Sequence, residues 1–241
     1  MKFAIIAAGE GRRMAEEGMT VSKPMLRLGG EPLIGRLLRI FSVFEPSEIV
    51  VACRSSHADV IGYLEGCGRE GIGGRHIPLR IVKATTPSSM HSLEAMSEYL
   101  GDEPFVLTTV DTIFDEKAFS SYVSSLESSL EEYDGCFAVT SYVDDEKPLY
   151  VKMDEGGLIT GFYDSNTDDC PYVSGGIYAM KADCLEVLHE CVAQGEMRMR
   201  NFQRALLRSG KQIVSYVFPK IIDVDHPSDL RVAEQFLAEQ V

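Results

Sequence analysis

Short apolar runs of strand length alternate with segments of helical spacing through the first half of the chain. The predicted strands of this half are residues 2–8, 49–53, 79–82 and 105–109. The predicted amphipathic helices are residues 31–44, 56–64, 92–100 and 115–130. Strands that alternate with helices form βαβ crossovers. The pattern therefore predicts an α/β fold with a mixed, mainly parallel sheet flanked by helices.

The second half of the chain begins with short strands separated by turn signals, predicted at residues 136–143, 150–153, 158–163 and 172–180. They are followed by helices at 183–193 and 199–207, strands at 212–218 and 221–224, and a last helix at 227–239. No internal repeat and no change of composition marks a linker. The sequence predicts one domain over residues 1–241, with a smaller β-rich subregion at 136–200 that covers one side of a ligand cleft.

The composition is ordinary for a globular protein, with 45% hydrophobic and 25% charged residues among 241. No apolar stretch approaches the ~20 residues that span a bilayer, and the N-terminus lacks the features of a signal peptide. The six cysteines lack paired spacing, which favours free thiols in a reducing compartment. We expect a cytoplasmic protein without a membrane partner.

The net charge of −14 argues against binding to nucleic acid, because phosphate contacts need a basic face. Positive charge is concentrated after the first strand, where Gly9 and Gly11 precede Arg12 and Arg13, with Lys23 further on. The exposed amides of a glycine turn, together with Arg and Lys side chains, form a site for a polyphosphate. The alternative is a glycine turn with a solvated basic face.

Two well-known phosphate loops do not fit this segment. The dinucleotide fingerprint requires a third glycine where the loop enters its helix, and that position is Met14. A Walker-type loop requires Gly-Lys followed by Ser or Thr, which this segment lacks.

Candidate metal ligands stand at the ends of two other predicted strands. Asp111 follows an apolar run, at the strand end where open α/β sheets bind ligands. Asp223 and Asp225 are two residues apart and point to the same face of a strand, and carboxylates suit Mg²⁺. The alternatives are a cap at Asp111 and a strand end at Asp225 before a helix that starts at Pro227. Asp229 is expected in the first turn of that helix.

The text AAGEGRRM at residues 7–14, followed by SKPMLRLGGEPLI at 22–34, closely resembles the signature of the nucleotidyltransferase superfamily. This superfamily includes sugar-1-phosphate nucleotidyltransferases and their cytidylyltransferase and molybdopterin-nucleotide relatives. The phrase DVDHPSDL at residues 223–230 is similar to the C-terminal metal motif of the family. The resemblance implies a Rossmann-like nucleotide-diphospho-sugar transferase fold. The nucleotide would then bind to residues 1–135, the acceptor to 136–200 and the metal to a strand and helix at about 212–240.

The reaction implied by the resemblance is attack by an acceptor phosphate on the α-phosphorus of a nucleoside triphosphate, with release of pyrophosphate. The resemblance assigns catalysis to Arg13, Lys23, Asp111 and Asp225. It assigns Mg²⁺ to Asp111, Asp223 and Asp225, with Asp223 either a ligand or a support. Nucleotide binding is assigned to Ala7, Ala8, Gly9, Gly11, Arg12, Ser88 and Ser89. The resemblance assigns acceptor binding to Gly175 and Gly176, and Lys220 is added because it stands just before the strand that carries Asp223.

The chain departs from the family pattern where the substrates are recognised. Ser88 and Ser89 stand where the family has a Gly-Thr-Ala-like phrase, and Val110 stands where it often has glycine. For Gly175 and Gly176 a buried β-bulge is the alternative. The lysine that sugar-specific members often carry after the preceding strand is not evident at residues 162–165.

We therefore expect an NTP and a small phosphorylated acceptor as partners, with a sugar 1-phosphate first and a phosphorylated alcohol such as phosphocholine as an alternative. A glycosyltransferase of the same fold is the second alternative, although the Arg13 and Lys23 pair suits a triphosphate better. The third is a nucleotide-sensing subunit without turnover. Nothing in the sequence indicates an oligomer.

Overall fold

The computed structural model describes residues 1–11, 14, 16–19, 21–143, 146–166 and 170–240. The strands of this part are β1 Lys2–Ala7, β2 Arg27–Leu28, β3 Glu31–Pro32, β4 Ile49–Cys53, β5 Leu79–Lys83, β6 Phe105–Thr109, β7 Thr112–Phe114, β8 Gly135–Thr140, β9 Tyr150–Met153, β10 Ile159–Tyr163, β11 Tyr172–Met180, β12 Ile213–Phe218 and β13 Ile221–Asp223. The α-helices whose bounds lie within this part are α1 Leu33–Ser42, α2 Ala58–Glu70, α3 Ser89–Met96, α4 Glu116–Glu132, α5 Cys184–Ala193, α6 Met199–Arg208 and α7 Pro227–Ala238.

The first half of the chain builds the parallel part of the main sheet. Strands β5, β4, β1 and β6 lie side by side, and each pair of neighbours is parallel. The register pairs Ile6 with Thr109 and Ala7 with Cys53. The four parallel strands therefore end at one edge of the sheet, where their connecting loops meet.

The second half of the chain extends this sheet with antiparallel strands. Strand β11 lies antiparallel to β6, β8 and β9, while β12 runs parallel to β8. The register of β11 against β8 shifts between Ser174 and Tyr178. The expected mixed α/β fold, with a β-rich addition in the second half, is confirmed.

The core is divided by the sheet into two layers, as the alternation of side chains along a strand requires. In β1, Phe3 and Ile5 belong to the layer packed by α1 and α4, whereas Ala4 and Ile6 belong to the layer packed by α3, α5 and α6. All six residues of β1 are buried. In the described part of the chain, no helix is long and apolar enough to cross a membrane.

Several predicted helix boundaries are wrong. The helix predicted from residue 31 starts at Leu33, because Glu31 and Pro32 form β3 and Pro32 keeps extended dihedrals at the N-cap. The helix predicted to end at residue 64 continues to Glu70. Its glycines weaken the helical signal in that stretch. The helix predicted from residue 92 begins at Ser89.

We predict that Gly176→Ala destabilises the protein by about 1–2 kcal/mol, because a residue with a side chain is strained in the left-handed region. Gly176 has a φ of +73°, and an added Cβ would lie 3.0 Å from Thr112 Oγ1. Urea unfolding measures the change. The control is Gly62→Ala in α2, where an added Cβ meets nothing within 4 Å and a gain of about 0.5–1 kcal/mol is expected. If Gly176→Ala were as stable as the wild type, position 176 would not require the left-handed conformation that we describe.

Candidate active site

A cavity of about 630 Å³ opens at the edge of the sheet where β1 and β6 end. Its lining combines the glycine turn after β1, the segment around Lys23, the start of α3, and the residues that follow β6 and β13. Ligands of open α/β sheets bind in this kind of crevice. The cavity volume is that of an ordinary small-molecule site.

Lys23 is held in this cavity between two carboxylates. Its ammonium donates hydrogen bonds to Asp111 Oδ2 and, over 2.8 Å, to Asp225 Oδ1. Lys23 begins a 3-10 turn, Lys23–Met25, in which Pro24 is buried. The Lys23 side chain is 13% exposed, the Asp111 side chain 21% and the Asp225 side chain 38%. Two carboxylates from distant parts of the chain therefore converge on one positive charge.

The backbone fixes both carboxylates in place. The Val110 amide donates to the Ile6 carbonyl over 3.0 Å, which continues the parallel ladder beyond β6. The Val224 amide donates to the Asp111 carbonyl over 3.1 Å, so the chain after β13 is tied to the chain after β6. The Asp225 amide donates to Asp229 Oδ2 over 2.9 Å. Asp229 lies in the first turn of α7, as predicted.

The ion cluster shifts the pKa of Lys23 and the pKa of Asp111 in opposite directions. Burial alone would lower the pKa of Lys23, but the two carboxylates outweigh it, and the pKa is raised above its ordinary value. Burial acts to raise the pKa of Asp111, and the Lys23 ammonium outweighs it, so this pKa lies below its ordinary value. Lys23 and Asp111 are therefore both charged at neutral pH.

The glycine turn forms one wall of the cavity. Ala7, Ala8, Gly9 and Gly11 all line it, as the phosphate-loop interpretation requires. Gly11 has a φ of +61°, and an added Cβ would lie 3.4 Å from Lys23 Cβ, so the turn packs closely against the lysine. The predicted phosphate-binding residues Arg12 and Arg13 lie outside the described residues.

The opposite wall is polar and belongs to the start of α3. Ser88 and Ser89 line the cavity. Ser88 is the N-cap of α3, and its Oγ lies 2.9 Å from His91 Nδ1. Thr86 and Ser92 line the cavity as well, and their hydroxyl oxygens lie 2.7 Å apart. The sequence analysis did not single out these last two residues.

Another residue that the sequence analysis missed is Arg54. It follows β4 directly, and its Nη2 donates to Glu10 Oε1 in the glycine turn over 2.6 Å. The sequence could have indicated Arg54, because it directly follows a strand that was predicted to lie parallel to β1. A residue at that end of β4 lies next to the glycine turn that follows β1.

The remaining predicted site residues lie outside this lining. Asp223 and Gly175 line a small neighbouring depression, and Thr112 Oγ1 donates to Asp223 Oδ1 over 3.4 Å. Gly176 belongs to the shifted part of β11. The Lys220 ammonium lies 4.2 Å from the ring centroid of Tyr142. The acceptor roles of Gly175, Gly176 and Lys220 and the metal role of Asp223 stay predictions.

The atoms next to Lys23 that could ligate a metal ion are the carboxylate oxygens of Asp111 and Asp225. Among the described residues, no group of three or more His, Cys, Asp or Glu side chains is placed to hold a metal ion. Asp111 and Asp225 are the carboxylates that meet at Lys23, while Glu10 of the same lining accepts a hydrogen bond from Arg54. Joint coordination by Asp223 stays a prediction. Two carboxylates suffice for Mg²⁺, which keeps several waters and uses substrate phosphates as further ligands.

A family model for the MobA-like NTP transferase domain matches residues 3–212. The chain belongs to this family. A segment of 53 residues is 34% identical to a glucose-1-phosphate cytidylyltransferase from Salmonella typhimurium. The match covers 22% of this chain and 21% of that enzyme. The chain thus aligns with about a fifth of this curated relative.

Solved structures with the same fold align over nearly the whole chain. The inositol-1-phosphate CTP transferase from T. maritima has a TM-score of 0.79 at 18% identity, covering 99% of this chain and 95% of that chain. A nucleoside-diphosphate-sugar pyrophosphorylase from Vibrio cholerae has a TM-score of 0.73 at 16% identity, covering 98% of this chain and 100% of that chain. At these low sequence identities, the similarity establishes only that this chain has the same fold.

We predict that Lys23→Ala lowers the free energy of unfolding by about 3 kcal/mol, because it leaves two neighbouring carboxylates without their shared cation. Asp225→Ala is expected to cost about 1 kcal/mol, since Asp225 is the more exposed partner and Asp111 still pairs with Lys23. Urea unfolding of both variants in metal-free buffer measures the difference. An equal or smaller loss for Lys23→Ala would contradict this account of the cluster.

Proposed function

We propose that the chain is a Mg²⁺-dependent nucleotidyltransferase. It transfers a nucleoside monophosphate from an NTP to a phosphorylated acceptor, in the first place a sugar 1-phosphate, and releases pyrophosphate. The observation that carries the proposal is the Lys23 ammonium, held by Asp111 and Asp225 beside a glycine turn in a 630 Å³ cavity. Membership of the MobA-like NTP transferase family supports the same reaction.

The nucleotide is assigned to the space between the glycine turn and α3. The backbone of residues 7–11 leaves room for a close approach of phosphates, because Gly9 has nothing within 4 Å of an added Cβ. The hydroxyls of Ser88 and Ser89 face the same cavity and offer contacts to the base. Arg12 and Arg13 are proposed to bind the β- and γ-phosphates, on the sequence pattern alone.

Mg²⁺ fits the two carboxylates, because they already share one cation and present only oxygen donors. Asp111 and Asp225 would hold the ion, and Asp223 would support them through Thr112. When bound, the ion supplies Lewis-acid polarisation of phosphate oxygens and a template for the two substrates.

The protein's own contribution is positioning and charge. Lys23 is positively charged at neutral pH, because its pKa is raised above its ordinary value. Its ammonium is therefore available to neutralise the α-phosphate as negative charge builds up there. Phosphoryl-type transfer depends mainly on such placement and electrostatic stabilisation and needs no protein nucleophile. The loss of one preorganised stabiliser costs about 10²–10³ in rate.

The two nucleotide-specific relatives guide the choice of substrates. The Salmonella relative is a cytidylyltransferase and the T. maritima structure is a CTP transferase, which makes CTP the first nucleotide to test. Their acceptors are glucose 1-phosphate and inositol 1-phosphate. The acceptor is assigned to the side of Gly175, Gly176 and Lys220, next to the cavity.

We predict that pyrophosphate is released only when Mg²⁺, an NTP and a phosphorylated acceptor are all present. The assay crosses CTP, UTP, GTP and ATP with glucose 1-phosphate, inositol 1-phosphate and phosphocholine. Asp111→Asn and Lys23→Ala are each expected to lower turnover about 10²–10³-fold. The matched control is Glu131→Gln, an exposed carboxylate on α4, which should leave turnover unchanged.

The outcomes separate the competing functions. Tight binding of Mg²⁺ and NTP without pyrophosphate from any pair would contradict the transferase and favour a nucleotide-sensing subunit. Transfer from an existing nucleotide-sugar without use of NTP would favour a glycosyltransferase. A higher rate with phosphocholine than with glucose 1-phosphate and inositol 1-phosphate would support the transferase reaction. It would show that the acceptor is a phosphorylated alcohol of the phosphocholine type.

A further inference from the structure

Two hydroxyl side chains, Thr86 and Ser92, lie together in the wall of the 630 Å³ cavity opposite the glycine turn. Their oxygens are 2.7 Å apart. Thr86 precedes α3 and is half-buried, whereas Ser92 lies inside α3 and is only 1% exposed. Thr86 is therefore the member of the pair that a ligand in the cavity can contact more readily.

The proton of the Ser92 hydroxyl has a fixed destination. Ser92 Oγ donates to the carbonyl of Ser88, one helical turn earlier, over 3.2 Å. A carbonyl oxygen can only accept a hydrogen bond, and a serine hydroxyl has a single proton to give. Ser92 therefore has only lone pairs left for its contact with Thr86.

The direction of the Thr86 hydroxyl follows from this. A distance of 2.7 Å between two oxygens is that of an ordinary O–H···O hydrogen bond, so a proton lies between them. Because Ser92 gives its proton to Ser88, Thr86 supplies the proton of the shared contact. Thr86 Oγ1 then keeps lone pairs but no proton, and it acts as a hydrogen-bond acceptor towards the cavity.

The neighbouring hydroxyl of Ser88 is engaged elsewhere. Ser88 Oγ accepts the amide of His91 over 3.4 Å as the N-cap of α3, and it lies 2.9 Å from His91 Nδ1. Its orientation thus serves the start of the helix. Thr86 is the hydroxyl of this wall whose hydrogen-bonding character is set by a buried partner.

An acceptor at this place distinguishes the two common pyrimidine bases of nucleoside triphosphates. Cytosine carries an amino group at position 4, which donates, whereas uracil carries an oxygen there, which accepts. In one and the same pose, the cytosine amine completes a hydrogen bond with Thr86 Oγ1. The uracil oxygen faces the lone pairs of Thr86 instead, so both groups lose a partner.

We propose that Thr86 selects cytosine over uracil in the nucleotide site, and that Ser92 is a positioning residue that fixes the direction of the Thr86 hydroxyl. The inference rests on the proposed function, which assigns the nucleotide to the space between the glycine turn and α3. It adds the residue that distinguishes the bases and the physical reason for the choice.

The test is calorimetric titration of the full chain with CTP and, separately, with UTP, in the presence of Mg²⁺ and without an acceptor. We expect the wild type to bind CTP about tenfold more tightly than UTP, the effect of one hydrogen bond made in one complex and lost in the other. Thr86→Val keeps the shape of the side chain without its oxygen. It is expected to bind CTP about tenfold more weakly than the wild type and to bind the two nucleotides about equally.

Two control variants separate the hydroxyl from the packing of the wall. Thr86→Ser keeps the hydroxyl and is expected to keep the preference for CTP. Thr85→Val changes the exposed neighbouring threonine and is expected to bind both nucleotides like the wild type. Loss of the preference in Thr86→Ser together with Thr86→Val would overturn the role of the hydroxyl.

Ser92→Ala tests the direction of the hydrogen bond itself. Without Ser92 Oγ, the Thr86 proton is free to be donated to the uracil oxygen. The preference for CTP is then expected to shrink mainly because UTP binds more tightly, an effect that a simple loss of packing does not produce. An unchanged preference in Ser92→Ala would contradict the positioning role.

A CTP analogue with hydrogen in place of the 4-amino group gives a readout that needs no variant. It is expected to bind the wild type about as weakly as CTP binds Thr86→Val, and tight binding of this analogue would overturn the inference. Equal affinities of the wild type for CTP and UTP would also overturn it. If both nucleotides then release pyrophosphate with an acceptor, the proposed function stands and the inference alone fails. If neither nucleotide binds, both fail.

Discussion

The shared contact of Lys23 with Asp111 and Asp225 is the interaction on which the candidate active site depends. It joins residues 88 and 202 positions apart in the chain. Removing charges from water is costly, and the cost is recovered only where opposite charges meet in good geometry. The ammonium therefore holds together two carboxylates that would otherwise repel each other. The same pair of carboxylates is what makes the cavity suitable for a divalent cation.

The sheet makes this convergence possible. Because β1 and β6 are parallel neighbours, the glycine turn and Asp111 leave the sheet at the same edge. The short β13 brings Asp225 to that edge by pairing with β7 directly after Asp111. Arg36 supports the arrangement from behind through the Phe114 carbonyl. Strand β7 thus connects Asp111, which lines the 630 Å³ cavity, to the Phe114 carbonyl that Arg36 holds.

Local patterns predicted much of this site, and long-range pairing accounts for the rest. The apolar run before Asp111 and the glycines after β1 carry clear signals, and both fall where expected. Strand β7 was not predicted, because three residues give no periodicity and the strand exists only through its pairing with β13. From the sequence alone, Arg36 would be placed on the exposed polar face of an amphipathic helix. In the structure it is buried, with its guanidinium over the Phe114 ring. The contact of Lys23 with both carboxylates has no local signature at all.

The most direct test of the account is a crystal structure grown with Mg²⁺ and a non-hydrolysable CTP analogue. The account predicts an ion bound by Asp111 and Asp225, with the Lys23 ammonium moved from between them onto the α-phosphate. A structure in which Lys23 still joins both carboxylates, while the ion and the phosphates lie elsewhere, would contradict it.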